Sequence, residues 1–128
     1  MILIVEDNEA NQLLASSVLE REGYKVEVAG NSVEARLVLD RALPELILMD
    51  IQLPGLDGLS FTRQLKSEAA TADIPVVALT ALAMTGDRER SLDAGCVGYI
   101  SKPIDTRRFA SDIRGFLAGE STRSGRSS

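Results

Sequence analysis

The 128-residue sequence has no histidine, no tryptophan and a single cysteine, Cys96. Without histidine, the chain has no imidazole metal ligand, no histidine general base and no Ser-His or Cys-His catalytic pair. One cysteine excludes an internal disulfide and is typical of a reducing compartment. The sequence therefore predicts a cytoplasmic protein.

Long apolar runs and an excess of basic residues are absent as well. No run approaches the roughly 18 residues of a membrane span, and Met1 is not followed by a basic leader or a small-residue cleavage site. We therefore expect neither a membrane segment nor a signal peptide. The formal net charge of −5 predicts no direct DNA binding, because such binding needs a basic face.

What is present is a regular alternation of two patterns. Short runs rich in β-branched and aliphatic residues, at 2–5, 26–28, 46–49, 74–79 and 97–101, are separated by stretches with helical spacing. Near-continuous apolar strands between helices indicate a parallel sheet covered on both faces. The prediction is one α/β domain over residues 1–118, a doubly wound five-stranded parallel sheet with flavodoxin-like order 2-1-3-4-5 and five helices. Residues 119–128, rich in Gly, Ser and Arg, are predicted to form a flexible tail.

Asp50 ends one of these apolar runs, where an ionised carboxylate is costly unless it is paired or bound to a metal. In such a sheet, ligands bind beyond the carboxyl ends of strands 1 and 3. Those ends carry Glu6, Asp7 and Asp50, whereas strand 4 ends at Thr80 and strand 5 at Lys102. Three neighbouring carboxylates should repel one another and raise the pKa of at least one of them. A Mg²⁺ ion, which prefers oxygen ligands, would relieve that repulsion.

Asp50 and Thr80 are the candidate nucleophiles beside this predicted metal. The chain has no evident base to activate a hydroxyl, whereas a carboxylate is already ionised and can accept a phosphoryl group. The metal, Lys102 and the Thr80 hydroxyl could neutralise the oxygens of that group. No Walker A loop is present, which argues against P-loop nucleotide hydrolysis.

Each of these residues also has an ordinary structural explanation. An Asp after a strand is commonly a turn residue, and Glu6 and Asp7 could simply favour the start of the following helix. Thr80 could be a strand former and Lys102 a solvated charge. These explanations do not account for the convergence of the residues on one edge of the sheet.

Four segments also carry a resemblance to a known family. They are IVEDN (4–8), LILMDIQLPGLDG (46–58), VVALTA (76–81) and GYISKPI (98–104), and they occur in order at the ends of predicted strands. They resemble the receiver domain of two-component response regulators, and the likeness runs from residue 2 to about 117. Residues 80–104 resemble in sequence the single-domain regulators of cell fate and the receivers of hybrid histidine kinases.

The resemblance implies a role for each matching residue at the acidic edge. Asp50 would be the phosphoacceptor and Lys102 would contact the phosphoryl group. Asp7, Asp50 and the backbone carbonyl of Gln52 would ligate Mg²⁺, with Glu6 acting through water.

The resemblance further implies a signalling switch that is not an enzyme. Thr80 would move towards the phosphate, Tyr99 would follow as the switch aromatic, and the small Ala81 would leave room for the donor. The partners would be a histidine kinase or histidine phosphotransfer protein, and a downstream protein that binds the surface of helix 4, strand 5 and helix 5 (85–117). The domain would assist its own phosphorylation and dephosphorylation without turning over an independent substrate.

Two other classes of protein share part of this pattern. A Mg²⁺-dependent phosphatase that forms an aspartyl-phosphate would normally carry a second Asp two residues after its nucleophile, where this chain has Gln52. A degenerate receiver that only binds proteins would not need Asp50, Thr80 and Lys102 together.

Overall fold

The computed structural model describes residues 1–81 and 85–119. Strands and helices alternate along them. The strands are β1 Ile2–Val5, β2 Val26–Ala29, β3 Leu46–Asp50, β4 Val76–Thr80 and β5 Gly98–Ser101, and the helices are α1 Glu9–Arg21, α2 Ser32–Arg41, α3 Gly58–Lys66, α4 Thr85–Asp93 and α5 Phe109–Leu117. Apart from Gly119, the predicted tail lies outside the described residues, and the domain boundary at residue 118 stays a prediction. In the described part of the chain, every helix is too short or too polar to cross a membrane.

The sheet has the predicted topology. Its five strands are all parallel and lie in the order β2-β1-β3-β4-β5. Because parallel strands all end at the same edge, this order brings the ends of β1 and β3 side by side, with β4 next to β3 and β5 next to β4. The predicted architecture, a doubly wound flavodoxin-like domain, is confirmed.

Three of the predicted bounds of β3 and β4 differ from the structure. β4 begins at Val76 instead of residue 74, because the N–H of Ile74 donates to the carbonyl of Thr71 in a turn and Pro75 has no N–H to donate. β3 and β4 also run one residue further than predicted. Asp50 and Thr80, predicted at the carboxyl ends of strands 3 and 4, are the last residues of those strands.

The core consists of two apolar layers, one on each face of the sheet. Successive residues of a strand point to opposite faces, so β1 and β3, buried on both, contribute alternate residues to each layer. Residues of α1 and α5, with Phe109 the largest, complete one layer. Residues of α2 and α3, with Phe61 the largest, complete the other, in which Cys96 is also buried.

The start of α3 packs directly on the end of β3. A side chain at Gly58 would place its Cβ 2.8 Å from both the carbonyl carbon of Asp50 and the Cα of Ile51, and still closer to the Asp50 carbonyl oxygen. Asp57 caps the helix, its Oδ1 accepting the N–H of Ser60 at 2.9 Å. Position 58 therefore requires a glycine, because its backbone packs directly against the backbone of Asp50 and Ile51.

We expect Gly58→Ala to lower the free energy of unfolding by about 3 kcal/mol, because the new methyl group overlaps rigid backbone. Gly86→Ala is the matched control. Gly86 lies in α4, has no heavy atom within 4 Å of its hypothetical Cβ, and should gain up to about 1 kcal/mol from helix propensity. Urea denaturation of both variants provides the comparison, and similar effects of the two substitutions would contradict the close contact.

Candidate functional site

Three carboxylates converge at the carboxyl edge of the sheet. Val5 pairs with Met49, so Glu6, directly after β1, lies beside Asp50, the last residue of β3. One carboxylate oxygen from each of Glu6, Asp7 and Asp50 lies within 4.8 Å of the other two. Glu6 and Asp50 are buried, whereas Asp7 is exposed. Such a set of hard oxygen donors, open to solvent on one side, fits a divalent cation such as Mg²⁺.

Lys102 supplies the positive charge of this edge. Its Nζ lies 3.1 Å from Oδ2 of Asp50 and 3.4 Å from Oε2 of Glu6. Burial disfavours the ammonium, but the hydrogen bond and charge of Asp50, helped by Glu6, outweigh that effect, and the pKa of Lys102 is raised. The N–H of Lys102 donates to the carbonyl of Thr80 at 2.7 Å, and the Lys102-Pro103 peptide bond is cis.

The two oxygens of Asp50 are held by different donors. Oδ1 accepts the backbone N–H of Gln52 at 2.9 Å, and Oδ2 accepts from Lys102. The side chain of Gln52 is exposed. The loop after β3 therefore orients the carboxylate through its backbone, while the role of the Gln52 carbonyl as a metal ligand stays a prediction.

Glu6 is the carboxylate whose pKa the site perturbs most clearly, and its side chain is only 1% exposed. Burial and then the neighbouring Asp50 raise the pKa of Glu6 to about 7, against the opposing effects of a hydrogen bond from Asn11 and the charge of Lys102. The expected rise in a carboxylate pKa therefore occurs, but its largest cause is burial and not the like-charge repulsion from which it was predicted.

Thr80 is fully buried, and its hydroxyl has no hydrogen-bond partner among the residues that the structure describes. A buried polar group without a partner costs about 1–3 kcal/mol. The backbone carbonyl of Thr80, by contrast, accepts a hydrogen bond from the backbone N–H of Lys102. The side chain is therefore available for a ligand bound at this edge.

Ala81 directly follows Thr80, and Tyr99 lies two residues before the end of β5. Tyr99 is half-buried in β5, next to Ala78 of β4, and the guanidinium of Arg88 from α4 lies 5.3 Å from the centre of its ring. That distance is within the range of a cation–π interaction. Ala81 is exposed directly after Thr80. The structure thus unites the predicted acids with Lys102 in one cluster, and places Tyr99 in contact with α4.

Two residues that sequence reasoning missed hold Glu6 from α1. The side-chain amide of Asn11 donates to Oε1 of Glu6 at 2.7 Å, and that of Gln12 donates to the Glu6 carbonyl at 2.5 Å. The sequence feature that could have identified Asn11 and Gln12 is their position in the first turn of α1. A helix that begins at Glu9, after the cap Asn8, places its first turn over the end of β1.

Comparisons with known proteins agree with this geometry. Residues 2–114 match the family model described as the response regulator receiver domain. The chain is 46% identical over 116 residues to the polar-differentiation response regulator DivK of Brucella anthropi, an alignment that covers 91% of this chain and 94% of that protein.

Two solved structures illustrate the similarity. The receiver domain of a signal transduction histidine kinase from Syntrophus aciditrophicus has 35% identity and a TM-score of 0.83, over 99% of this chain and 95% of that one. The receiver domain of sensor histidine kinase PA1611 from Pseudomonas aeruginosa PAO1 has 36% identity and a TM-score of 0.82, over 91% and 96% of the two chains, and has a magnesium ion coordinated in its active site cleft.

The raised pKa of Glu6 predicts an unusual pH dependence for the metal-free protein. The folded state binds a proton at Glu6 up to about pH 7, whereas the unfolded state releases it near the ordinary value of 4.5. Because the folded state holds more protons in this window, the free energy of unfolding should fall as pH rises through it, by roughly 2–3 kcal/mol from this source. The measurement is urea denaturation in EDTA between pH 4.5 and 8. Subtracting the free energy of unfolding of Glu6→Gln from that of wild type at each pH isolates the contribution of Glu6.

The control is Glu9→Gln, which removes the same charge from an exposed position in the first turn of α1. This variant should keep the wild-type pH dependence. A Glu6→Gln profile that parallels wild type would show that Glu6 is not the group responsible.

Proposed function

Because this chain belongs to the response regulator receiver domain family, we propose that it is a phosphorylation-controlled signalling switch whose phosphoacceptor is Asp50. The observation that carries the proposal is the convergence of a buried Asp50 with Glu6, Asp7 and Lys102 at one sheet edge. Such an edge can receive and neutralise a phosphoryl group.

In the proposed transfer, a carboxylate oxygen of Asp50 forms a new P–O bond while the P–N bond of a phosphohistidine breaks. The departing nitrogen keeps the bonding electron pair, so no base on this chain is needed. The sequence has no histidine, and the donor histidine therefore lies outside it, on a histidine kinase or a histidine phosphotransfer protein. The small side chain of Ala81 at the exposed rim leaves space for that donor.

Asp7, Asp50 and the backbone carbonyl of Gln52 would hold Mg²⁺, with Glu6 acting through water. The bound ion would neutralise charge on the phosphoryl oxygens during transfer. This assignment is supported by the mutual proximity of the three carboxylates and by the magnesium site of the similar PA1611 receiver. The same edge would assist dephosphorylation, without an independent substrate.

Phosphorylation adds roughly −1.5 to −2 charge at Asp50. Lys102, already 3.1 Å from Asp50, would pair with the new group. The hydroxyl of Thr80, which has no partner among the described residues, would donate a hydrogen bond to it. Tyr99 would then change its packing, and the surface formed by α4, β5 and α5 would change with it. Supporting this last step, Arg88 of α4 lies over the Tyr99 ring.

A downstream protein would read the switch on that surface. A cavity of about 260 Å³, lined by residues that include Tyr99, Pro103, Phe109 and Asp112, opens there. The net charge of −5 supports signalling through protein contacts without direct DNA binding. The single buried Cys96 supports a cytoplasmic location.

The phosphoacceptor assignment is tested by intact mass spectrometry after incubation with acetyl phosphate and Mg²⁺. Wild type should gain one phosphoryl group that hydroxylamine removes, as expected for an acyl phosphate, and Asp50→Asn should gain none. Asp57→Asn, which changes an acid of the neighbouring loop and retains a helix-capping side chain, should be labelled like wild type. Labelling of Asp50→Asn at the wild-type level would refute the assignment.

Because the Thr80 hydroxyl has no hydrogen-bond partner among the described residues, we expect Thr80→Val to separate stability from signalling. Because no hydrogen bond to a described residue is lost, stability should change by less than about 1 kcal/mol or increase. The variant should still be phosphorylated, but the phosphorylation-dependent change in hydrogen exchange across 85–117 should be lost.

The matched control for stability is Thr62→Val. Thr62 is equally buried, but its hydroxyl donates to the Gly58 carbonyl at 2.8 Å, so this variant should lose about 1 kcal/mol or more. An unchanged exchange response in Thr80→Val would count against Thr80 as part of the switch.

A further inference from the structure

The two carboxylate oxygens of the buried Glu6 have separate partners. Oε1 accepts from the side-chain amide of Asn11 at 2.7 Å, whereas Oε2 faces Lys102 at 3.4 Å, on the side of Asp50. We propose that Asn11 is a positioning residue for the metal site, because its amide holds Glu6 with Oε2 directed into the acidic cluster. The inference rests on the proposed Mg²⁺ site and adds to it a residue outside the predicted ligand set.

Asn11 suits this role because its amide is neutral. Lys102 also lies near Glu6, but as a cation it is attracted to the same oxygens as a divalent ion and repels that ion. The amide of Asn11 occupies Oε1 without adding charge, and Oε2 stays directed towards Lys102 and the acidic cluster. Hydrogen bonds of this kind to metal-binding side chains typically change metal affinity by 10–100-fold.

The position of Asn11 is itself fixed by the start of α1. The side chain of Asn8, the helix cap, accepts the backbone N–H of Asn11 at 2.9 Å. One residue further on, Gln12 donates to the main-chain carbonyl of Glu6 at 2.5 Å. The first turn of α1 therefore holds Glu6 by both its side chain and its backbone, which restrains the carboxylate in one orientation.

A purely structural role would be that Asn11 only satisfies a buried carboxylate. Metal affinity distinguishes the two roles, because a positioning residue changes the Mg²⁺ dissociation constant and does so only through Glu6. The substitution Asn11→Ala is suitable, since alanine favours the helix more than asparagine does and the helix itself is retained.

The experiment measures thermal melts in EDTA and across a Mg²⁺ series, from which the dissociation constant follows by mass action. Asn11→Ala should weaken Mg²⁺ binding about tenfold, and Asn11→Ser, whose hydroxyl is too short to reach Glu6, should do the same. Should the alanine variant fail to fold, the serine variant decides the question. Asn31→Ala is the control, because it removes the cap of α2, whose side chain accepts the N–H of Glu34 at 2.9 Å, and leaves Asn11 and its cap Asn8 in place. It should melt at a lower temperature and bind Mg²⁺ within about threefold of wild type.

A double-mutant cycle with Glu6→Gln then tests the route of the effect. In that background, adding Asn11→Ala should change the dissociation constant by less than about twofold. A tenfold loss of Mg²⁺ affinity in both backgrounds, or wild-type affinity in Asn11→Ala, would overturn the inference. The proposed metal site would be unaffected by either result. No response of wild type to Mg²⁺ would overturn the metal site and the inference together.

Discussion

The structure depends on the burial of two carboxylates, Glu6 and Asp50, at one edge of a parallel sheet beside the ammonium of Lys102. Buried charges are tolerated only when they are paired and hydrogen-bonded. Here the two buried acids share the ammonium of Lys102, and burial, followed by the neighbouring Asp50, raises the pKa of Glu6 to about 7. The edge is therefore sensitive to any further charge, whether a metal ion or the proposed phosphoryl group.

This charge balance is tied directly to the neighbouring strands. The backbone of Lys102 is bonded to Thr80, whose hydroxyl has no partner in the described structure, and Thr80 lies beside Ser101 at the end of β5. Tyr99, two residues earlier, contacts α4 through Arg88. A change of charge at Asp50 is thus connected by a short chain of contacts to the surface proposed to bind a downstream protein.

Two neighbouring elements hold the acids in place. The first turn of α1 holds Glu6 by hydrogen bonds from the side chains of Asn11 and Gln12. Helix α3 begins at Gly58, which lies against the backbone of Asp50. Both supports come from helix starts next to strand ends, where side chains and backbone can be oriented by the adjoining rigid elements. A site held in this way can bind a metal ion or accept a group with little rearrangement.

The sequence by itself determined the strand order and the convergence of Glu6, Asp7, Asp50 and Lys102, because hydrophobic periodicity and the topology of parallel sheets place strand ends together. Its motifs also identified the family. Only the tertiary structure decided which acid has the most clearly perturbed pKa and why, since the pKa of Glu6 depends on its burial, on Asp50 and on the charge of a lysine 96 residues away. The tertiary structure also decided the contacts of Asn11 and the absence of a partner for the Thr80 hydroxyl among the described residues, because hydrogen-bond partners depend on distances that no local pattern encodes.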